Sequence, residues 1–134
     1  QPSMLGWTGS KDTKLTRIDD ALKLESTGKD PWIAVKDFPR ASGQVSVLIE
    51  MDVGLPANLF WATRQHRGFQ AERSNPLIEK SPGNYRLDID LGADRLEGLR
   101  IDPLRKPGQI TIQSIRLVDW KSPGAGKTQR LWDF

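Results

Sequence analysis

Turn-forming residues recur along this chain too often for long helices to form. Nine Pro and twelve Gly interrupt 134 residues, and no long stretch between them keeps a 3.6-residue period. Between the interruptions apolar side chains return at every second residue, the period of a half-buried strand. Ala21-Leu22-Lys23-Leu24-Glu25 alternates in this way after a turn at Asp19-Asp20. Val45, Val47, Ile49 and Met51 share one face of a long segment. Leu59, Trp61 and Thr63 share a face of the next, with Asn58, Phe60 and Ala62 opposite. Tyr85, Leu87, Ile89 and Leu91 oppose Arg86, Asp88 and Asp90, and Leu99 and Ile101 oppose Arg100 and Asp102. In the last such segment the parity changes: Ile110 and Ile112 are even, Ile115 and Leu117 odd. One extra residue in a strand has that effect, so the pattern predicts a β-bulge at Gln113-Ser114.

Eight or nine short strands divided by Gly, Pro and Asp turns predict an all-β fold, an antiparallel β-sandwich. Several strands are apolar on both faces, with Leu48 beside Val47 and Phe60 beside Trp61. That favours a jelly-roll-like sandwich over a closed barrel. The length suits a single domain over 1–134. Ser122-Pro123-Gly124-Ala125-Gly126 predicts a C-terminal loop or tail over 121–134. The first residue is not Met, and we expect a piece excised from a larger chain.

Several chemistries are excluded by residue type. There is no Cys, hence no disulfide, thiol nucleophile or Cys-ligated zinc. The single His66 rules out mechanisms that need two histidines, and no Ser stands in a G-x-S-x-G turn. Gly124-Ala125-Gly126-Lys127-Thr128 approximates a phosphate-binding loop. The first Gly of that pattern would have to stand at Lys121, and too few residues follow to supply the required helix. Asp88, Asp90 and Asp94 around Gly92 give part of a calcium loop, but Ile89 and Leu91 are interleaved as core residues. A structural calcium lacks a full motif, and no metal or cofactor is expected. The net charge is +3, with basic residues spread among acidic ones, so no nucleic-acid partner is expected. No apolar run approaches membrane-spanning length, so no membrane partner is expected.

Aromatic and arginine side chains are where binding would arise. Five Trp are present, and a Trp either fills a core or stacks on a flat apolar ligand face. Trp61 leads into Arg64-Gln65-His66-Arg67-Gly68-Phe69-Gln70. Trp61, Arg64, His66 and Arg67 are the candidate ligand-binding residues, with the arginines suited to sulfate or carboxylate. The alternative is a core Trp61 followed by an inert polar loop. Asp30, Arg100 and Asp102, at the two Asp-Pro elements, read as structural. Asp before Pro favours strand-end turns, and Arg100 is expected to pair with an Asp across the sandwich.

The order of these elements resembles a known family. It runs from Trp7 through Leu22-Lys23-Leu24-Glu25-Ser26-Thr27-Gly28 to Asp30-Pro31-Trp32-Ile33. Phe60-Trp61, Tyr85-Arg86-Leu87, Leu99-Arg100-Ile101-Asp102-Pro103 and Ile110–Leu117 follow. From Trp7 to Trp120 the chain resembles the C-terminal non-catalytic β-sandwich domains of bacterial arylsulfatases, which are carbohydrate-binding-module-like or galactose-binding-like. The resemblance implies an accessory domain of a sulfatase. It would bind carbohydrate, an anionic or sulfated polysaccharide, and have the parent catalytic domain as partner. It also implies a periplasmic or extracellular location. The alternative is a purely structural domain that packs against that catalytic domain and binds no ligand. A sulfatase active site needs [CS]-x-P-x-R; Ser74-Asn75-Pro76-Leu77-Ile78 lacks the Arg, so the chain is not expected to be an enzyme on its own.

Overall fold

The fold is an all-β antiparallel sandwich, with one short 3-10 turn, Ala71–Arg73, among the described residues. The computed structural model describes residues 4–36, 41–52, 57–103, 109–120 and 127–134. The strands are β1 (Thr8–Gly9), β2 (Thr13–Ile18), β3 (Ala21–Ser26), β4 (Ile33–Lys36), β5 (Gln44–Met51) and β6 (Ala57–Thr63). They continue with β7 (Ser74–Pro76), β8 (Ile78–Ser81), β9 (Asn84–Asp90), β10 (Leu96–Pro103), β11 (Gln109–Asp119) and β12 (Lys127–Asp133). One sheet has the order β1-β4-β10-β6-β7. The other runs β2-β3-β11-β5-β9-β8, with β12 also on β11. The chain crosses between sheets from β1 to β2, at each step from β3 to β6, from β7 to β8 and at each step from β9 to β11. Four-strand layers β3-β11-β5-β9 and β4-β10-β6-β7 therefore face each other, which is the jelly-roll arrangement.

The period-2 pattern explains which side chains meet between the sheets. Leu22, Leu24, Val47, Ile49, Leu59, Leu99, Ile101, Ile112, Ile115 and Leu117 are all at most 1% exposed. Ile110 and Ile112 point inward from the first half of β11, Ile115 and Leu117 from the second. The ladder with β5 shifts register between Ile112 and Ser114. That bulge keeps both halves facing the core. It also lies where β11 exchanges one neighbour for another, pairing β3 over Gln109–Ile112 and β12 over Ser114–Asp119.

The C-terminal segment differs from the expected loop or tail. Residues 121–126, which contain the Gly-rich stretch, lie outside the described residues. From Lys127 to Asp133 the chain is a strand on β11. Trp132 is fully buried and meets Trp7 edge to face, with centroids 5.5 Å apart at 74°. Phe134 is buried too, and its carbonyl accepts hydrogen bonds from the Arg17 guanidinium at 3.0 and 3.3 Å. Among the described side chains of β12, Trp132 is the one buried apolar residue, too weak a pattern to read as a strand.

Candidate functional site

The outer face of the five-stranded sheet carries an aromatic cluster around one arginine. On β10, Leu99 and Ile101 face the core, so Arg100 and Asp102 face out. Across the sheet Arg100 stands between Ala34 of β4 and Phe60 of β6. Its guanidinium lies 4.6 Å from the Phe60 ring centre, 5.3 Å from Trp32 and 5.7 Å from Phe69. A planar, weakly hydrated cation suits such surroundings. Its Nε and Nη2 donate to the two Asp102 oxygens, each at 2.7 Å, a bidentate fork that fixes the plane of the group. The partner expected across the sandwich is thus Asp102, two residues along the same strand, because i and i+2 share a strand face.

Small residues beneath the cluster let it lie close to the sheet. Ala34 and Ala62 are each 6% exposed. At Gly98 a Cβ would stand 3.0 Å from the tip of the Phe69 ring. The loop after β6 therefore returns over the sheet and lays Phe69 on Gly98. Beside Asp102, Asn58 has a buried Oδ1 with no hydrogen-bond partner.

A groove of about 590 Å³ opens next to this cluster, within the range of small-molecule sites. Trp32, Phe69, Thr8, Ala34 and Lys36 line its part on the sheet face; Leu5, Gly6, Val35, Arg130 and Trp132 carry it round the edge of β4. The Arg130 guanidinium lies 5.4 Å from the Trp132 ring centre. Lys36 and Arg130 make the groove basic, while the charge of neighbouring Arg100 is matched by Asp102. Trp32 is positioned by the preceding loop. Its backbone N–H donates to Thr13 Oγ1 at 2.9 Å, and Ser10 Oγ donates to the Asp30 carbonyl at 2.8 Å. At Gly28 the Asp12 carboxylate occupies the space of a Cβ, so any larger residue there would displace it. That carboxylate accepts from the Asp30 N–H at 3.1 Å. Asp30 thus acts through its backbone as a turn residue.

The candidate residues Trp61, Arg64, His66 and Arg67 are not brought together. Trp61 shares the inward face of β6 with Leu59 and packs partly buried against the core, opposite Leu99. Its outward neighbour Phe60 is the aromatic on the open face. Arg64, His66 and Arg67 are exposed on the loop that carries Phe69. Arg67 lies 3.7 Å from Glu97. Asp94 anchors this loop, its Oδ1 accepting from the Gln65 and Arg95 amides at 3.2 and 2.8 Å. Desolvation pushes the Asp94 carboxyl up, but hydrogen bonds from the Thr63 hydroxyl and those amides outweigh it and hold it below its ordinary 3.8. The signal that sequence reasoning passes over is the joint presence of Trp32 and Arg100 in the two Asp-Pro elements, where Asp30, Arg100 and Asp102 read as structural and Trp32 is given no role.

Among the described residues no three His, Asp or Glu side chains gather as a metal site. Asp88 bonds to Ser46 and Arg86, Asp90 accepts from the Gly92 amide, and Asp94 holds the loop.

Comparison with known proteins gives a likeness of fold only. No family model matches the chain, and no curated protein matches it in sequence. The enzymatically active domain of bacteriophage CBA120 tailspike protein 4 aligns with a TM-score of 0.50 at 12% identity. That alignment covers 80% of this chain and 18% of that one. A family 29 carbohydrate-binding module from Piromyces equi aligns with a TM-score of 0.49 at 13% identity, covering 80% of this chain and 76% of that one. The class defined by these strands is a jelly-roll β-sandwich with an aromatic groove on one face.

Proposed function

We propose that the outer face of the five-stranded sheet binds an extended carbohydrate chain bearing carboxylate or sulfate groups, and that the domain is a non-catalytic module. The observation that carries this reading is the groove walled by Trp32 and Phe69 beside Arg100. Aromatic faces stack on the C–H faces of pyranose rings, and Lys36 and Arg130 suit an anionic substituent. Arg64, His66 and Arg67 extend the basic surface on the loop behind Phe69. An open groove on one sheet face loses most of its contact energy to ordering, so we place Kd at about 0.1–1 mM. In a longer chain such a module would hold a catalytic domain near its polymer. The resemblance in sequence makes a sulfatase of the periplasm or cell exterior the parent we propose, and the parent's full sequence tests it.

Affinity electrophoresis in gels containing polygalacturonate, dextran sulfate or a neutral galactomannan tests the binding. Retardation is expected in the anionic gels, weakening as salt is raised, and is lost in Trp32→Ala. Equal mobility in all three gels and a blank gel refutes the reading. One observation favours a second reading, a face that packs on a neighbouring domain: the Arg100 fork is already occupied by Asp102.

A further inference from the structure

The opposite side of the sandwich carries a second aromatic platform, built from different elements. Trp120, at the end of β11, is 41% exposed, yet it is anchored at both ends. Its backbone N–H donates to the Gln44 carbonyl at 3.0 Å, and its indole Nε1 donates to Ser46 Oγ at 2.7 Å. Ser46 is 1% exposed, a buried hydroxyl on the outer side of a strand whose neighbours Val45 and Val47 face the core. The same hydroxyl donates to Asp88 Oδ1 at 2.6 Å and accepts from Arg86 Nη2 at 3.3 Å. Arg86 Nε closes the circuit on Asp88 Oδ1 at 2.7 Å, and its guanidinium lies 5.5 Å from the Trp120 ring centre. A recess of about 310 Å³ lies among these residues and Gln44.

An indole whose only donor is satisfied internally presents carbon alone, in a fixed plane. Leaving that apolar area in water is unfavourable, and ordering it beforehand reduces the entropy that a ligand must supply. Around the ring stand a carboxylate whose side chain is 61% exposed, the guanidinium paired with it, and the Gln44 amide. Hydrogen bonds from Ser46 and then Arg86 hold the Asp88 carboxyl below its ordinary value, so it stays an acceptor at neutral pH. A fixed aromatic plane flanked by one acceptor and donors, with the Arg86 and Asp88 charges paired to each other and Lys80 acting on Asp88 from nearby, matches an uncharged pyranose: C–H faces for the ring, vicinal hydroxyls for the polar groups.

We infer that Trp120, Arg86, Asp88 and Gln44 form a second sugar-binding site, on the seven-stranded sheet, selective for neutral glycan. It is independent of the anionic site around Trp32 and makes the domain bivalent toward mixed or cross-linked polysaccharide.

The test follows individual indole N–H signals by NMR while cellopentaose, maltopentaose and mannopentaose are titrated into the whole domain. The Trp120 signal is expected to shift saturably with at least one of the three. Trp120→Ala should weaken that sugar's binding roughly tenfold or more, the loss of one stacking contact. Asp88→Asn alters one exposed side chain, so it serves if Trp120→Ala does not fold, and it should weaken the same sugar several-fold. Trp32→Ala should leave it unchanged. A Trp120 signal unmoved by all three sugars overturns the inference, as does binding insensitive to both Trp120→Ala and Asp88→Asn. Movement of the Trp32 signal alone, with polygalacturonate as titrant, would leave the first site standing while the second falls.

Discussion

Arg100 shows how one side chain serves both the sheet and its open face. Its fork is spent on Asp102, while its flat faces meet Phe60, Trp32 and Phe69. Arg100 and Asp102 are only 20% and 16% exposed at their side chains. Arg100→Ala strands a carboxylate and unseats the aromatics, and we expect it to cost about 1–3 kcal/mol in urea denaturation. An unchanged urea midpoint would show that the fork contributes nothing. Gly98→Ala acts on the neighbouring ring. Its new Cβ meets the Phe69 tip at 3.0 Å, so retention on an anionic polysaccharide should fall while the thermal midpoint stays nearly constant. A drop in both together would mean that the backbone, and not the ring, gave way. The alternation Leu99-Arg100-Ile101-Asp102 placed Arg100 and Asp102 on one face from sequence alone. What alternation does not convey is which residues from other strands lie beside them. Trp61 shows the same limit: period 2 puts it with Leu59, and it packs partly buried against the core, while Phe60 is on the open side.

At the scale of elements, β11 and β12 show where local pattern suffices and where it fails. The bulge in β11 was legible because four isoleucine and leucine side chains reveal the change of parity. β12 was not, because a Gly-rich stretch precedes it and Trp132 alone marks its inner face. Trp132→Ala should cost about 3–5 kcal/mol, as for other buried large aromatics, and ending the chain at residue 126 should unfold the domain or nearly so. A truncated chain with an unaltered melting temperature would restore the picture of a tail. The loop between β6 and β7 depends on Asp94, and the β5–β9 pair is tied by Asp88. Both carboxyls are held below their ordinary 3.8 in the folded protein. As pH falls, the unfolded chain therefore takes up these protons first. The stabilisation is fully present above the ordinary value and is lost as pH falls through the lower folded values. Melting temperatures should decline below 3.8 for these groups, and Asp94→Asn should flatten part of that decline. A pH profile identical in the variant would show that Asp94 makes no such contribution.

For the whole molecule, the two sheets divide the chemistry. The five-stranded sheet exposes an aromatic groove with Lys36 and the Arg100–Asp102 pair, to which β12 of the other sheet adds Arg130; the outer face of the seven-stranded sheet exposes the Trp120 platform. The jelly-roll topology was legible as a class from strand spacing and two-sided apolar strands, but the strand order was not, because it is set by contacts between distant segments. Far-UV circular dichroism should show little intensity at 222 nm, and a helix content above about a quarter of the chain would contradict the fold. The central claim is that Trp32 beside Arg100 forms a ligand site and not only a packed surface. Isothermal titration with oligogalacturonate at low salt, on the native domain and on Trp32→Ala, tests it most directly. We expect native Kd at about 0.1–1 mM, at least roughly tenfold weaker binding in the variant, and similar melting temperatures for both. Equal affinity in the two proteins, or no heat from either, would contradict it.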